Sequence, residues 1–199
     1  MYEGYRLPDV RFADLSPEIQ ERFQKCRFIV TDFDGVWTNN SVLVNYQDST
    51  EAVMHSQVDG FGVYLLYLGG LYDFDDFHSM NHQVDFLILT MASGQVVRAV
   101  AEKVHVKCVL RRLNKVETFL EAIRERGLEA SQAVYVGNDV NDIDCMEAAG
   151  IAIAVADSYP LILKYADFIT QKNGGDGAVR EVCDMILYSK AKHPYLPRG

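Results

Sequence analysis

Asp32 and Asp34 stand two residues apart in Asp32-Phe33-Asp34-Gly35-Val36-Trp37-Thr38, which follows the apolar run Phe28-Ile29-Val30 after a single threonine. Such a run is what a strand buried on both faces requires, and Gly35 lets the chain turn sharply away. Carboxylates at the carboxyl end of a parallel strand sit where open α/β sheets bind ligands. One can act as a nucleophile and the other as an acid, with a hard cation bridging to a phosphate. Phosphate monoester transfer needs a nucleophile, a leaving-group acid, a cation and donors to the equatorial oxygens. Asp32 is the candidate nucleophile, forming an aspartyl-phosphate, and Asp34 the acid that protonates the leaving oxygen and then activates water. Thr90, at the end of Phe86-Leu87-Ile88-Leu89, offers a hydroxyl and a backbone amide to a phosphate. Lys115, at a helix start, offers a fixed positive charge. Gly137-Asn138-Asp139-Val140-Asn141-Asp142 is an oxygen-rich turn after a strand, suited to Mg²⁺. The candidate metal ligands are therefore Asp32, Asp34, Asn138, Asp139 and Asp142, with the choice between Asn138 and Asp139 open. Singly, each residue has a bland reading: a cap for Thr90, Asp139 and Asp142, a surface charge for Lys115. Their order along the chain, each at a strand end or a helix start, favours a site.

The elements that must position these residues follow from pattern. Strands are expected near Arg27 to Thr31, Phe86 to Leu89, Val106 to Leu110, Ala133 to Val136 and Ile151 to Val155. Helices are expected between them, from Asp59-Gly60 to Gly69-Gly70, from Gln95 to Lys103, from Lys115 to Gly127, and ending at Met146 to Ala149. This alternation predicts an α/β fold, a doubly wound parallel sheet. Val42-Leu43-Val44 and Ala52-Val53-Met54 flank a polar stretch and predict a small β-hairpin. Residues 1–25 form a lead-in with Leu15, Ile19 and Phe23 at helical spacing after Ser16-Pro17-Glu18. The main domain spans 26–190, and 191–199 form a tail. The stretch from Leu71 to Gln83, rich in aromatics and acids, reads as a loop with an aromatic contact surface; a second metal site involving His78 is the alternative.

The net charge of −9 argues against nucleic-acid and anionic-membrane partners. No apolar stretch reaches membrane-spanning length, and the first residues lack a secretory pattern. Cys26, Cys108, Cys145 and Cys183 form no Cys-x-x-Cys, which suggests reduced thiols in a cytoplasmic protein.

The order of paired aspartates, threonine, lysine and acidic loop resembles the haloacid dehalogenase (HAD) superfamily of phosphohydrolases. A phosphoacceptor receiver domain also pairs aspartates, but its lysine follows the last strand and it has no such hairpin. Thr38 to Thr90 holds only a hairpin, a helix and a loop, so no substantial cap domain is expected. Asp32 to Thr38, Val58-Asp59-Gly60-Phe61-Gly62 and Tyr135 to Val182 resemble the capless 3-deoxy-D-manno-octulosonate 8-phosphate phosphatase branch, and the phosphatase-like domains of acylneuraminate cytidylyltransferases. The resemblance implies Mg²⁺, a homotetramer in which a neighbouring subunit covers the open site, and substrate contacts at Thr38, Asp59, Gly60, Met91, Ala92 and Arg180. Four positions depart from the branch. Thr90-Met91-Ala92 replaces Thr-Gly-Arg, Tyr64 stands at a usually basic position, Asp176 replaces an arginine, and Gly137-Asn138 replaces Gly-Asp. Arg111, Arg112 and Arg180 are the candidate replacement cations.

These features lead to the expectation of a Mg²⁺-dependent hydrolase of a phosphorylated small molecule, of the octulosonate 8-phosphate or nonulosonate 9-phosphate type. The alternatives are a weakly active or inactive oligomerisation module associated with a nucleotide-sugar synthetase, and a phosphotransferase or mutase.

Overall fold

The computed structural model describes residues 8–195. Its six-stranded sheet is parallel throughout. In chain order the strands are β1 (Phe28–Thr31), β4 (Asp85–Leu89), β5 (Lys107–Val109), β6 (Ala133–Gly137), β7 (Ile151–Ala154) and β8 (Phe168–Ile169). They lie side by side as β5-β4-β1-β6-β7-β8. The remaining two, β2 (Leu43–Val44) and β3 (Glu51–Ala52), pair antiparallel as the expected hairpin.

Among the described residues seven α-helices accompany them: α1 (Pro8–Ala13), α2 (Pro17–Lys25), α3 (Gln57–Leu68), α4 (Gln95–Lys103), α5 (Lys115–Glu125), α6 (Ile143–Ala148) and α7 (Ala178–Ser189). Alternate residues of each strand serve opposite faces. Ile29, Ile88, Val134 and Ile153 join Val63 of α3, Val97 of α4 and Val182 of α7 in one core. Phe28, Val30, Leu87, Tyr135 and Ala152 join Phe119 of α5 and Met146 of α6 in the other. Burial on both faces explains why the strands read as unbroken apolar runs.

The register brings the chemistry to one edge. Thr31 lies beside Ile88 on one side and Val136 on the other. Asp32 therefore emerges from β1 between the ends of β4 and β6, next to Thr90 and Asn138. Strand order reverses at β1, the switch point where doubly wound sheets open a ligand crevice.

α2 begins at the expected cap, with the Ser16 hydroxyl accepting from the Ile19 amide. The aromatic segment 71–83 has no helix or strand of its own, and it packs inward rather than forming a free contact surface. Phe74 stacks on His105 with ring centroids 3.8 Å apart, and Lys107 Nζ donates to the Ser79 carbonyl. Asp73 Oδ1 accepts from the amides of Asp75 and Asp76, a local turn that explains the acids without a metal. β8 and α7 are absent from the expectations above. The four cysteines are free thiols. Among the described residues no helix is long and apolar enough to cross a membrane.

Candidate active site

The loop after β1 is held from both sides. The Asp32 amide donates to the Val136 carbonyl, and Asp32 Oδ1 accepts from the Phe33 amide at 2.6 Å. Gly35, at φ +77°, lets the chain double back with no side chain, because a Cβ there would lie 2.1 Å from Asn138 Nδ2. Trp37 fixes the far side: fully buried, it donates from Nε1 to Thr31 Oγ1 at 2.8 Å. The glycine-rich turn 174–177 braces the same loop. A Cβ on Gly174 would meet the Gly35 carbonyl, and the Gly175 amide donates to the Val36 carbonyl.

Lys115 enters from the first residue of α5, whose N-cap Asn114 accepts from the Glu117 amide. Its ammonium is 2.7 Å from Asp32 Oδ2 and 2.7 Å from Asp142 Oδ1. Asp142 also accepts from Tyr135 Oη at 2.8 Å and, through Oδ2, from the Asn138 amide at 2.9 Å. Burial, followed by the charge of Asp142, pushes Asp32 up to about 6 against the pull of Lys115. Burial raises half-buried Asp34 as well; Lys115 opposes this and Glu51 of the hairpin adds to it. Burial works against the Lys115 charge, yet the two carboxylates hold its pKa above the usual lysine value.

These groups open on a cleft of about 180 Å³ lined by Asp32, Asp34, Asn40, Thr90, Met91, Ala92, Asn138, Asp139 and Asn141. The structure thus brings together Asp32, Asp34, Thr90, Met91, Ala92, Asn138 and Asp139. Lys115 reaches the same place from behind. Asn40 and Asn141 were not anticipated; Asn141 Nδ2 lies 3.4 Å from Asp32 Oδ2. Tyr135 reads in sequence only as a strand residue, and nothing there signals its hydroxyl's target.

Several expectations need correction. Asp142 is fully buried and its two oxygens are engaged by four donors, so it faces away from the cleft and is no ligand in this arrangement. The Thr90 amide is taken by the Val109 carbonyl, leaving only the hydroxyl for a ligand. Thr38 Oγ1 accepts from the amides of Gly35 and Asn40, closing the loop rather than facing the cleft. Asp59 is fully buried and accepts from the amides of Gly177 and Arg180 at the start of α7. Gly60 packs its bare Cα toward Val104. Arg180 is paired with Asp184 at 2.8 Å and lies over the Phe61 ring, so it cannot replace the cation missing at Ala92.

The donor set fits a hard cation. Asp32 supplies charge and Asp34 a carboxyl oxygen, and Asn138 Oδ1 is buried with no hydrogen-bond partner, an oxygen whose burial is otherwise uncompensated. Among the described residues no cluster of three His, Cys, Asp or Glu side chains is set for a metal. The set is thus two carboxyl groups and a carboxamide, poorer in charge than a three-carboxylate site.

Fold and site together define a haloacid dehalogenase-like hydrolase, and comparison with known proteins agrees. The profile of the haloacid dehalogenase-like hydrolases matches residues 88–182. A HAD-family hydrolase structure from Streptomyces avermitilis is 31% identical, covering 82% of this chain and 92% of that one with a TM-score of 0.73. The chain belongs to this family. Within it, the similarity runs to the octulosonate phosphatase branch. The 3-deoxy-D-manno-octulosonate 8-phosphate phosphatase of Salmonella typhimurium is 25% identical over 91% of this chain and 89% of its own length. The corresponding enzyme of Moraxella catarrhalis, solved with magnesium ion, phosphate ion and KDO, is 25% identical. It covers 88% of this chain and 94% of that one with a TM-score of 0.78.

Proposed function

We propose that the protein is a Mg²⁺-dependent phosphomonoester hydrolase acting on a phosphorylated sugar acid, octulosonate 8-phosphate or a nonulosonate 9-phosphate. The observation that carries the reading is the 2.7 Å contact of Lys115 with Asp32, which sets a fixed cation against the buried carboxyl group that lines the cleft. Asp32 attacks phosphorus as the ester bond to the sugar breaks. Asp34, whose pKa burial raises, gives its proton to the departing sugar oxygen. Asp34 then takes a proton from water as that water attacks the aspartyl-phosphate, releasing inorganic phosphate and restoring Asp32. The Thr90 hydroxyl is placed to donate to a phosphoryl oxygen. Asp32, Asp34 and Asn138, with Asp139 at the rim, would hold Mg²⁺, which when bound offsets charge on the phosphoryl oxygens.

A second reading, a module whose main role is assembly, draws support from the hairpin. Leu43 is 74% exposed, Tyr46 89% and Met54 80%, apolar surface that an isolated chain leaves in water. A homotetramer in the cytoplasm, with these hairpins between copies and over the cleft, accommodates both readings.

The test is phosphate release from a panel of sugar phosphates with and without Mg²⁺, beside Asp32→Asn. Metal-dependent turnover lost in the variant supports hydrolysis. No turnover from a folded tetramer favours assembly.

A further inference from the structure

A basic hollow begins one residue beyond the cleft. It encloses about 540 Å³ and is lined by Arg98 of α4, Arg111 and Arg112 of the loop after β5, and Ser93, Gln95 and Cys108 among others. No acidic residue lines it. In a chain of net charge −9, three cations around one concavity with no carboxylate among them is a local reversal of sign. Like charges gathered this way repel one another.

Three other arginines are paired. Arg22 closes on Asp167, Arg126 on Asp85 and Arg180 on Asp184. Among the described residues the guanidinium groups of Arg98, Arg111 and Arg112 have no hydrogen-bond or ion-pair partner. Arg111 is also held at φ +60°, the left-handed region that glycine takes freely and long side chains avoid.

The backbone ties this hollow to the catalytic loop. The Arg111 amide donates to the Ala92 carbonyl at 3.0 Å, and the Arg112 amide to the Thr90 carbonyl at 3.2 Å. Thr90, Met91 and Ala92 line the catalytic cleft, whereas Ser93, next along the same loop, and Gln95, the first residue of α4, line the hollow. The cleft is acidic and suits a cation with a phosphoryl group; the hollow, tied to it by these backbone bonds, is basic and suits a second anion.

We propose that Arg98, Arg111 and Arg112 bind the substrate's second anionic group, a carboxylate remote from the phosphoryl ester, in place of any cation at position 92. This rests on the phosphatase reading above and assigns its specificity. A guanidinium meets a carboxylate with two parallel donors, so each arginine discriminates strongly between an acid and a neutral ligand.

The experiment compares kcat/KM for octulosonate 8-phosphate and for mannose 6-phosphate in the full chain with Mg²⁺. It is repeated in Arg98→Gln, Arg111→Gly and Arg112→Gln. Glycine at 111 suits the positive φ, so that variant removes the cation while keeping the turn. The acid-over-neutral ratio is expected to fall by about 10-fold or more in at least Arg111→Gly and one partner variant. A ratio unchanged in all three overturns the proposal. If neither ester is hydrolysed, the sugar-phosphate panel decides the phosphatase reading separately, and calorimetry with unphosphorylated octulosonate decides this one. Binding that the arginine variants abolish supports the anion site, and no binding to the parent protein overturns it.

Discussion

The ammonium of Lys115 lies 2.7 Å from Asp142 Oδ1 while making an equally short contact with Asp32. One lysine therefore joins the loop after β1 to the acidic turn after β6, and all three groups are nearly inaccessible to water. Such a triad is stable only when complete, because removing one member strands a buried charge. Lys115→Met is expected to cost about 3–5 kcal/mol of folding stability by denaturant unfolding. Adding Asp142→Asn should restore part of that stability without restoring phosphate release. Additive losses in the double variant would contradict the coupling.

Tyr135 extends the triad by one bond, donating to Asp142 at 2.8 Å from a fully buried ring. Tyr135→Phe keeps the ring and removes the donor, and Asp142 retains Lys115. The expected stability loss is about 1 kcal/mol. Because Asp142 then pulls harder on Lys115 and leaves Asp32 less well held, kcat is expected to fall by about 3- to 10-fold with KM little changed. A fall in stability alone, with kcat intact, would confine Tyr135 to packing.

Much of this was legible in the chain. The runs 28–30, 86–89 and 133–136 are apolar because both faces are covered, and Asp32, Thr90 and Asn138 follow them within two residues. What the sequence could not reveal was direction. Asp142 looks like a ligand in a line of acids, but the 3-10 turn at 140–142 rotates it toward Tyr135 and Lys115. Asp59 and Arg180 read as site residues, yet a helix not foreseen there, α7, claims both: Asp59 caps it and Arg180 pairs along it with Asp184. The spacing of Val179, Val182, Cys183 and Ile186 was a sufficient signal for that helix. The grouping of Arg98 with Arg111 and Arg112 depends on α4 and the loop after β5 meeting, which no local pattern records.

Asn138 gives a metal prediction with two opposite signs. Its Oδ1 is buried and unpartnered beside Asp32 and Asp34. Asn138→Asp places a third carboxylate there, so without metal the variant should melt below the parent by several degrees through like-charge repulsion. With saturating Mg²⁺ the order should reverse. The added charge tightens Mg²⁺ binding by about 10-fold or more, and ligand binding to the folded state raises stability. Melting curves across a Mg²⁺ titration, with calorimetric Kd, check both halves. A variant that is more stable without metal, or binds Mg²⁺ no better, would remove position 138 from the ligand set.

Asp59 gives a pH prediction away from the metal. It is fully buried where α7 starts, and burial pushes it up to about 6 although the amides of Arg180, Gly177 and Val179 pull it down. A carboxyl group whose folded pKa is raised binds its proton more tightly in the folded state. Its ionisation therefore erodes stability as pH climbs from about 4 through about 6, and that stability returns on acidification. A shift from 3.8 to about 6, at about 1.4 kcal/mol per unit, corresponds to roughly 3 kcal/mol. Asp59→Asn keeps the shape and an accepting oxygen but cannot ionise. Its stability relative to the parent should therefore rise between pH 4 and pH 7 by up to that amount. Urea unfolding of both proteins at pH 4, 5, 6 and 7 measures the difference directly. A flat difference would mean that the α7 amides hold Asp59 ionised across the whole range, making the carboxylate a net stabilising cap.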